Sequence, residues 1–115
     1  MYLEIKENKL VLPKCEIEFK YKIYDTILIP DCIVILLDVP DNVKDDTNIC
    51  AVNFNGKKLW SVQAVCEAYP KITGKSSYVG MKRLENGNIS ATNWVGMTYE
   101  ISIKDGKILS SHFTK

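Results

Sequence analysis

The sequence predicts an all-β protein: an antiparallel meander of about 8–10 strands forming a sandwich or a blade-like pair of sheets, with at most one short helix. Three observations carry this. Apolar and polar residues alternate with period two in "EIEFKYKIY" at residues 16–24. A β-branched, wholly apolar run, "CIVILL", lies at residues 32–37. Asn-Gly or Asp-Gly pairs then separate strand-like runs at positions 55–56, 86–87 and 105–106.

The first elements are a hairpin, in which "YLEI" and "LVLP" flank the polar turn "KENK". In residues 16–24, Ile17, Phe19, Tyr21 and Ile23 share one face, and Glu16, Glu18, Lys20 and Lys22 share the other. Period two makes this a single half-buried strand, and the mixed charges on its wet face discourage edge-to-edge pairing. "CIVILLDV" is apolar on both faces and too short for a buried helix, so it reads as a central strand covered on both sides. "PDNVKDDTN" follows as an exposed, acidic loop. It lacks the alternating acids and central glycine of an EF-hand.

The hairpin "NICAVNF-NG-KKLWSVQ" comes next, with Asn55-Gly56 suited to positive φ at both central turn positions. "SYVGMKRL" and "NISATNW" flank a second glycine turn, and "TYEISI" and "KILSSHF" flank a third, giving a meander. "SVQAVCEAY" departs from this pattern. Val62, Val65, Cys66 and Tyr69 fall at helical spacing, Ser61 is an N-cap candidate and Pro70 ends the segment, so one short helix is expected there.

Length and composition bound the function. The 115 residues, 46% hydrophobic and 25% charged, suit a single β domain spanning residues 1–115. A net charge of +1 gives no field to gather nucleic acid or anionic lipid, so no nucleic-acid partner is expected. The apolar stretch at residues 27–39 is broken by Pro30, Asp31 and Asp38, which argues against a membrane helix. Glu4 and Glu7 stand where a signal peptide would be basic and then apolar, so a cytoplasmic location is expected. Cys15, Cys32, Cys50 and Cys66 form no C-x-x-C pair and have one histidine for company. They read as reduced thiols packed as small hydrophobes, and neither a metal nor another cofactor is expected.

Enzymatic chemistry finds little support. His112, the sole histidine, sits in "SSHFTK" with no nucleophile elbow nearby. Glu16 and Glu18 continue into Lys20 and Lys22 as a solvated stripe, and Glu100, on the polar side of its strand, is a further candidate acid. "TGKSS" at residues 73–77 has the tail of a P-loop without its first glycine, and reads as a flexible loop. The expectation is a non-enzyme.

The phrases "CAVNFNGKKLW" and "YEISIKDGKILS" share an order: an alternating strand, a turn ending in Gly-Lys, and an apolar strand start. The second has one more residue before its glycine, which implies a longer turn or a bulge. "NICAVNFNGKKLW" resembles the hairpin phrase of quinoprotein-like (PQQ-type) propeller repeats, and residues 78–109 resemble two successive hairpins of that style. The resemblance implies that Gly56 makes a turn and that Trp60 packs between neighbouring blades. A closed ring needs at least four blades, more than this chain supplies. The same style resembles small stand-alone bacterial proteins, some with the look of immunity proteins paired with toxins, which implies a binding protein with a protein partner.

Two uses follow as expectations. One is an immunity-type inhibitor that binds a cognate bacterial toxin through one sheet face or the acidic loop with Asp41, Asp45 and Asp46, the loop steering a basic partner and Trp94 serving as an interface anchor. The other is a small-ligand or carbohydrate-binding module with Trp94 and Tyr99 as stacking rings. A free sheet edge in so many-stranded a chain is also compatible with a homodimer.

Overall fold

The computed structural model describes residues 3–113, and its centre is the apolar run at residues 32–37. The first sheet holds β1 (Glu4–Lys6), β2 (Lys9–Val11) and β3 (Glu16–Glu18). The second holds β4 (Lys22–Ile29), β5 (Cys32–Asp38), β6 (Ile49–Val52) and β7 (Lys58–Ser61), in that spatial order. A single helical turn, α1 (Val65–Ala68), leads to the third sheet: β8 (Tyr78–Arg83), β9 (Ile89–Asn93), β10 (Met97–Ile101) and β11 (Ile108–Phe113). All pairings are antiparallel, and each sheet is an up-and-down meander. The fold is therefore all-β, with 11 strands among the described residues in three sheets rather than two.

The second sheet is the middle layer, and β5 shows why. Cys32, Val34 and Leu36 face a core shared with Tyr78, Ile89, Ala91, Tyr99 and Ile101 of the third sheet. Ile33 and Ile35 face the opposite core, built with Leu10 and Leu12 and flanked by Ile17 and Phe19. Strand β6 divides the same way, Ile49 and Ala51 to one side and Cys50 and Val52 to the other. Both faces are dry, so the run is apolar without alternation. Each such side chain contributes roughly 1.5–3 kcal/mol by leaving water.

The alternating run at residues 16–24 is two strands, not one. After Glu18 the chain leaves the first sheet; Phe19 N donates to Asn8 O, and the Asn8 side-chain amide donates to Phe19 O. Ile23 N then donates to Glu7 O as the second sheet begins. The period survives the break because Ile17, Phe19 and Ile23 all face the core between these two sheets.

Helix α1 is shorter than its spacing suggested. Ser61 closes β7, and Val62 N still donates to Ile49 O, so the strand continues where an N-cap was expected. The first helical N–H, that of Val65, is instead held by the carboxylate of Asp46 at 3.0 Å. Val62 and Val65 are buried, whereas Cys66 is exposed.

The Asn-Gly hairpin turns in a different way from the one its sequence suggested. Gly56 alone has positive φ, at 88°. Gly56 N donates to Asn53 O, while the Asn53 side chain accepts from Asn55 N and Lys57 N. This is a three-residue turn with glycine in the left-handed position. A Cβ on Gly56 would stand 2.8 Å from the Cys15 sulfur, so the turn nests on the first sheet. The related turn at Gly106 is longer, with Gly106 N bonded to Ser102 O, and it nests on the second sheet. Its missing Cβ would lie 2.6 Å from the Trp60 ring. Trp60 is buried between the second and third sheets, and its indole N–H donates to Ile103 O at 3.0 Å.

Candidate binding groove

Four irregular pieces of backbone meet where the β5–β6 connection passes the third sheet. The first is the loop after β5, where Pro40 begins a turn closed by Val43 N donating to Pro40 O. The second is the segment before β8, in which the Ser77 hydroxyl accepts from Asp45 N and the Ser77 carbonyl accepts from Trp94 N. Ser77 thus ties the acidic loop to the β9–β10 turn. The third is that turn itself: Gly96 N donates to Asn93 O and the buried Asn93 side chain accepts from Met97 N. The fourth piece is a pair of bulges. Tyr24 is the extra residue between Ile23 and Asp25 in β4, and Val79 the extra residue between Tyr78 and Gly80 in β8. Bulges re-aim side chains out of the ladder. Here Tyr24 and Val79 are both exposed.

Beneath these pieces lies Asn48, fully engaged in the interior. Its amide donates to Leu37 O and Tyr78 O, and its carbonyl oxygen accepts from Tyr78 N. One side chain therefore fixes the start of β8 against the end of β5, which sets the width between the acidic loop and Val79.

The space enclosed is a two-lobed groove. The larger lobe, about 490 Å³, lies between Pro40, Val43 and Lys44 on one wall and Lys75, Ser76 and Val95 on the other. The smaller, about 260 Å³, is lined by Tyr24, Leu37, Asp38 and Tyr78. Val39, Asp41, Ser77, Val79 and Trp94 border both. Trp94 is 78% exposed although its N–H is bonded to Ser77 O and its turn is closed by the bonds to Asn93, so its ring is held out by a fixed turn.

The sequence-predicted residues divide sharply on this geometry. Asp41 and Trp94, 53 positions apart by their numbers, are brought to the same groove. Asp45 lies behind it, accepting from Thr47 N and Thr47 Oγ1. Asp46 is 2% exposed and Tyr99 1% exposed, so neither presents a surface to a partner. Asp46 is the remote cap of α1, and Tyr99 is a core ring packed edge-on against Tyr78 at 6.1 Å between centroids. Burial pushes the hydroxyls of Tyr78 and Tyr99 above the usual phenol range, with Asp46 and the neighbouring tyrosine rings adding to the shift.

Tyr24, Asp38 and Val79 join the groove without having been singled out. Tyr24 had left a signal, an aromatic residue continuing the polar row of Glu16, Glu18, Lys20 and Lys22. The bulge that exposes Val79 left one mark in the sequence, Gly80 inside the strand pattern.

The other chemical candidates resolve into structure. The carboxyl of Glu100 is held below the usual range by hydrogen bonds from Asn88 and Asn86, the opposite of the shift a general acid needs. His112 is exposed on β11, opposite Thr98. All four cysteines are free. Burial raises the Cys50 thiol to about 11, and burial with nearby Asp31 raises that of Cys32. Among the described residues no group of three His, Cys, Asp or Glu side chains is placed to hold a metal ion, and no helix is long and apolar enough to cross a membrane.

Fold and groove together define a small protein of three stacked antiparallel sheets, with an aromatic groove built from loops at one end of the stack. The chain belongs to the family described as a domain of unknown function, DUF7957, whose model matches residues 1–113. No curated protein and no solved structure matches it.

Proposed function

We propose that the chain is a non-enzymatic, cytoplasmic binding protein that holds a protein partner in the two-lobed groove. The observation that carries this is Trp94, a large aromatic ring left 78% exposed on a turn whose backbone is fixed by hydrogen bonds. An exposed tryptophan stabilises nothing in the free protein, while tryptophan is the residue type most enriched among binding hot spots. Tyr24 and Val79 extend the apolar floor, and the charges of Asp41, Lys44 and Lys75 form a polar rim. The groove-lining residues include no histidine and no cysteine, so binding fits them better than acid–base or thiol catalysis.

The most specific form of this reading, carried by the resemblance in size and hairpin style, is an immunity-type inhibitor of a cognate bacterial toxin. Electrostatic steering then falls to Asp38 and Asp41, because Asp45 and Asp46 are engaged internally. The test is capture from the native host's lysate by immobilised wild-type protein and by Trp94→Ala in parallel. One partner enriched by the wild type and lost from the variant is expected; undiminished capture by Trp94→Ala would contradict the reading. The small-ligand alternative moves from the Trp94/Tyr99 pair to Trp94 and Tyr24, the two exposed rings that border one lobe.

A further inference from the structure

The two lobes differ in charge, and the difference specifies what each accepts. The smaller lobe is bordered by two exposed carboxylates, Asp38 at the end of β5 and Asp41 in the following turn. It is also bordered by two exposed aromatic rings, Tyr24 at 63% and Trp94 at 78%. Among the described residues no lysine or arginine lines it; Lys44 and Lys75 belong to the larger lobe. The ion pairs among the described residues, Lys6 with Glu4 and Lys22 with Glu7, leave both aspartates out. Lys22 stands opposite Asp38 in the β4–β5 register, yet its ammonium turns away to Glu7.

Carboxylates and aromatic faces have one common preference. A planar cation is attracted to the negative face of a ring and, lying flat over it, still directs its N–H donors outward in its own plane to a carboxylate. Guanidinium does both at once, and is weakly hydrated enough to leave water for a cavity. We infer that the smaller lobe is a receptor for an arginine side chain of the protein partner, stacked against Trp94 and Tyr24 and paired with Asp38 and Asp41. The walls are held by backbone: Asp38 pairs with Lys22 at the end of β5, Asp41 follows a proline, Tyr24 is flanked by paired residues of β4 and Trp94 sits on a bonded turn. The arginine therefore orders its own side chain and little else. This assignment rests on the groove being the docking surface, and it gives the partner a basic residue as its anchor.

The probe is the capped tripeptide acetyl-Gly-Arg-Gly-amide, titrated into the full chain and followed by the indole N–H resonance of Trp94. Its control is the citrulline peptide, equal in shape and uncharged. Saturable binding is expected, with a dissociation constant on the order of 1 mM for so small a ligand. About tenfold weakening is expected for citrulline and for the Asp38→Asn/Asp41→Asn protein. Failure of the arginine peptide to bind, or equal binding of citrulline, overturns the assignment. Equal binding by the doubly substituted protein overturns it too, and both sites are exposed enough for that protein to fold. Lysate capture keeps this failure distinct from failure of the groove reading. A partner lost on Trp94→Ala but kept on Asp38→Asn/Asp41→Asn leaves the groove standing and removes the arginine. Arginine binding alongside undiminished capture by Trp94→Ala keeps the pocket and removes the groove as the partner's site.

Discussion

Trp60 and Trp94 are the chain's two tryptophans, and both stand next to glycine turns. Trp60 enters the seam between the second and third sheets, donates its indole N–H to Ile103 O, and has the bare face of Gly106 against its ring. Trp94 sits on a turn of similar construction, yet its ring stands in water above a groove. The difference lies in where each ring is mounted. Trp60 is a residue of strand β7 on the face that packs against the third sheet, whereas Trp94 belongs to the β9–β10 turn itself and projects from it. One tryptophan is thus available for stability and the other for recognition.

The widest separation between the two is expected in stability. Trp60→Ala should cost about 3–5 kcal/mol, because a large ring is removed from a packed seam. Trp94→Ala should stay within about 0.5 kcal/mol of wild type. Urea unfolding of the two variants measures both, and equal losses would erase the contrast. Next in size is Asn48→Ala, at about 2–3 kcal/mol, since it strands Tyr78 N, Tyr78 O and Leu37 O in the interior. Because Asn48 also sets the groove's width, its loss should weaken partner binding when Trp94 is intact.

The glycine turns sharpen the same contrast. Gly106→Ala combines a φ of 78° with a clash against the Trp60 ring and the Ser61 carbonyl, and should cost about 2–4 kcal/mol. Gly87→Ala has a φ of 93° but meets only the far end of Arg83 at 3.9 Å, so it should cost about 1–2 kcal/mol. Similar costs would mean that the Gly106 turn does not press on Trp60.

The smallest effect concerns pH. The Glu100 carboxyl is depressed by Asn88 and Asn86, so its contribution is present above the unfolded value and is lost as pH falls through the lower folded value. Wild type should exceed Glu100→Gln by a small margin at neutral pH. The gap should close as pH drops below the ordinary value of 4.5. A gap that widens in acid would reverse the sign of the assignment.

Much of the fold was legible because periodicity reports directly on burial. The run at residues 32–37 had to be covered on both sides, and every glycine turn marked a hairpin. The number of sheets was not legible, since Ile17, Phe19 and Ile23 keep one face across the break between β3 and β4. Within the site, Asp41 and Trp94 were recognisable as a loop acid and a turn aromatic. Asp46 was not separable from surface residues, because composition cannot tell a carboxylate that caps a remote helix turn from one in water; Tyr99 alternates in step with Ile101 and Ile103, which marked its core face. Tyr24 and Val79 depend on bulges, which shift register by one residue and leave the sequence pattern almost unchanged.

The separation of the two tryptophans is tested most directly by acrylamide quenching of fluorescence in two single-tryptophan proteins. Trp60→Phe leaves Trp94 alone, and Trp94→Phe leaves Trp60 alone. Trp94 should emit at the long wavelength of hydrated indole and be quenched at close to the rate of the free amino acid, whereas Trp60 should emit at shorter wavelength and be strongly shielded. Shielding of both would contradict the account, because it would mean that the groove is closed in the free protein and that Trp94 is a packing residue like Trp60.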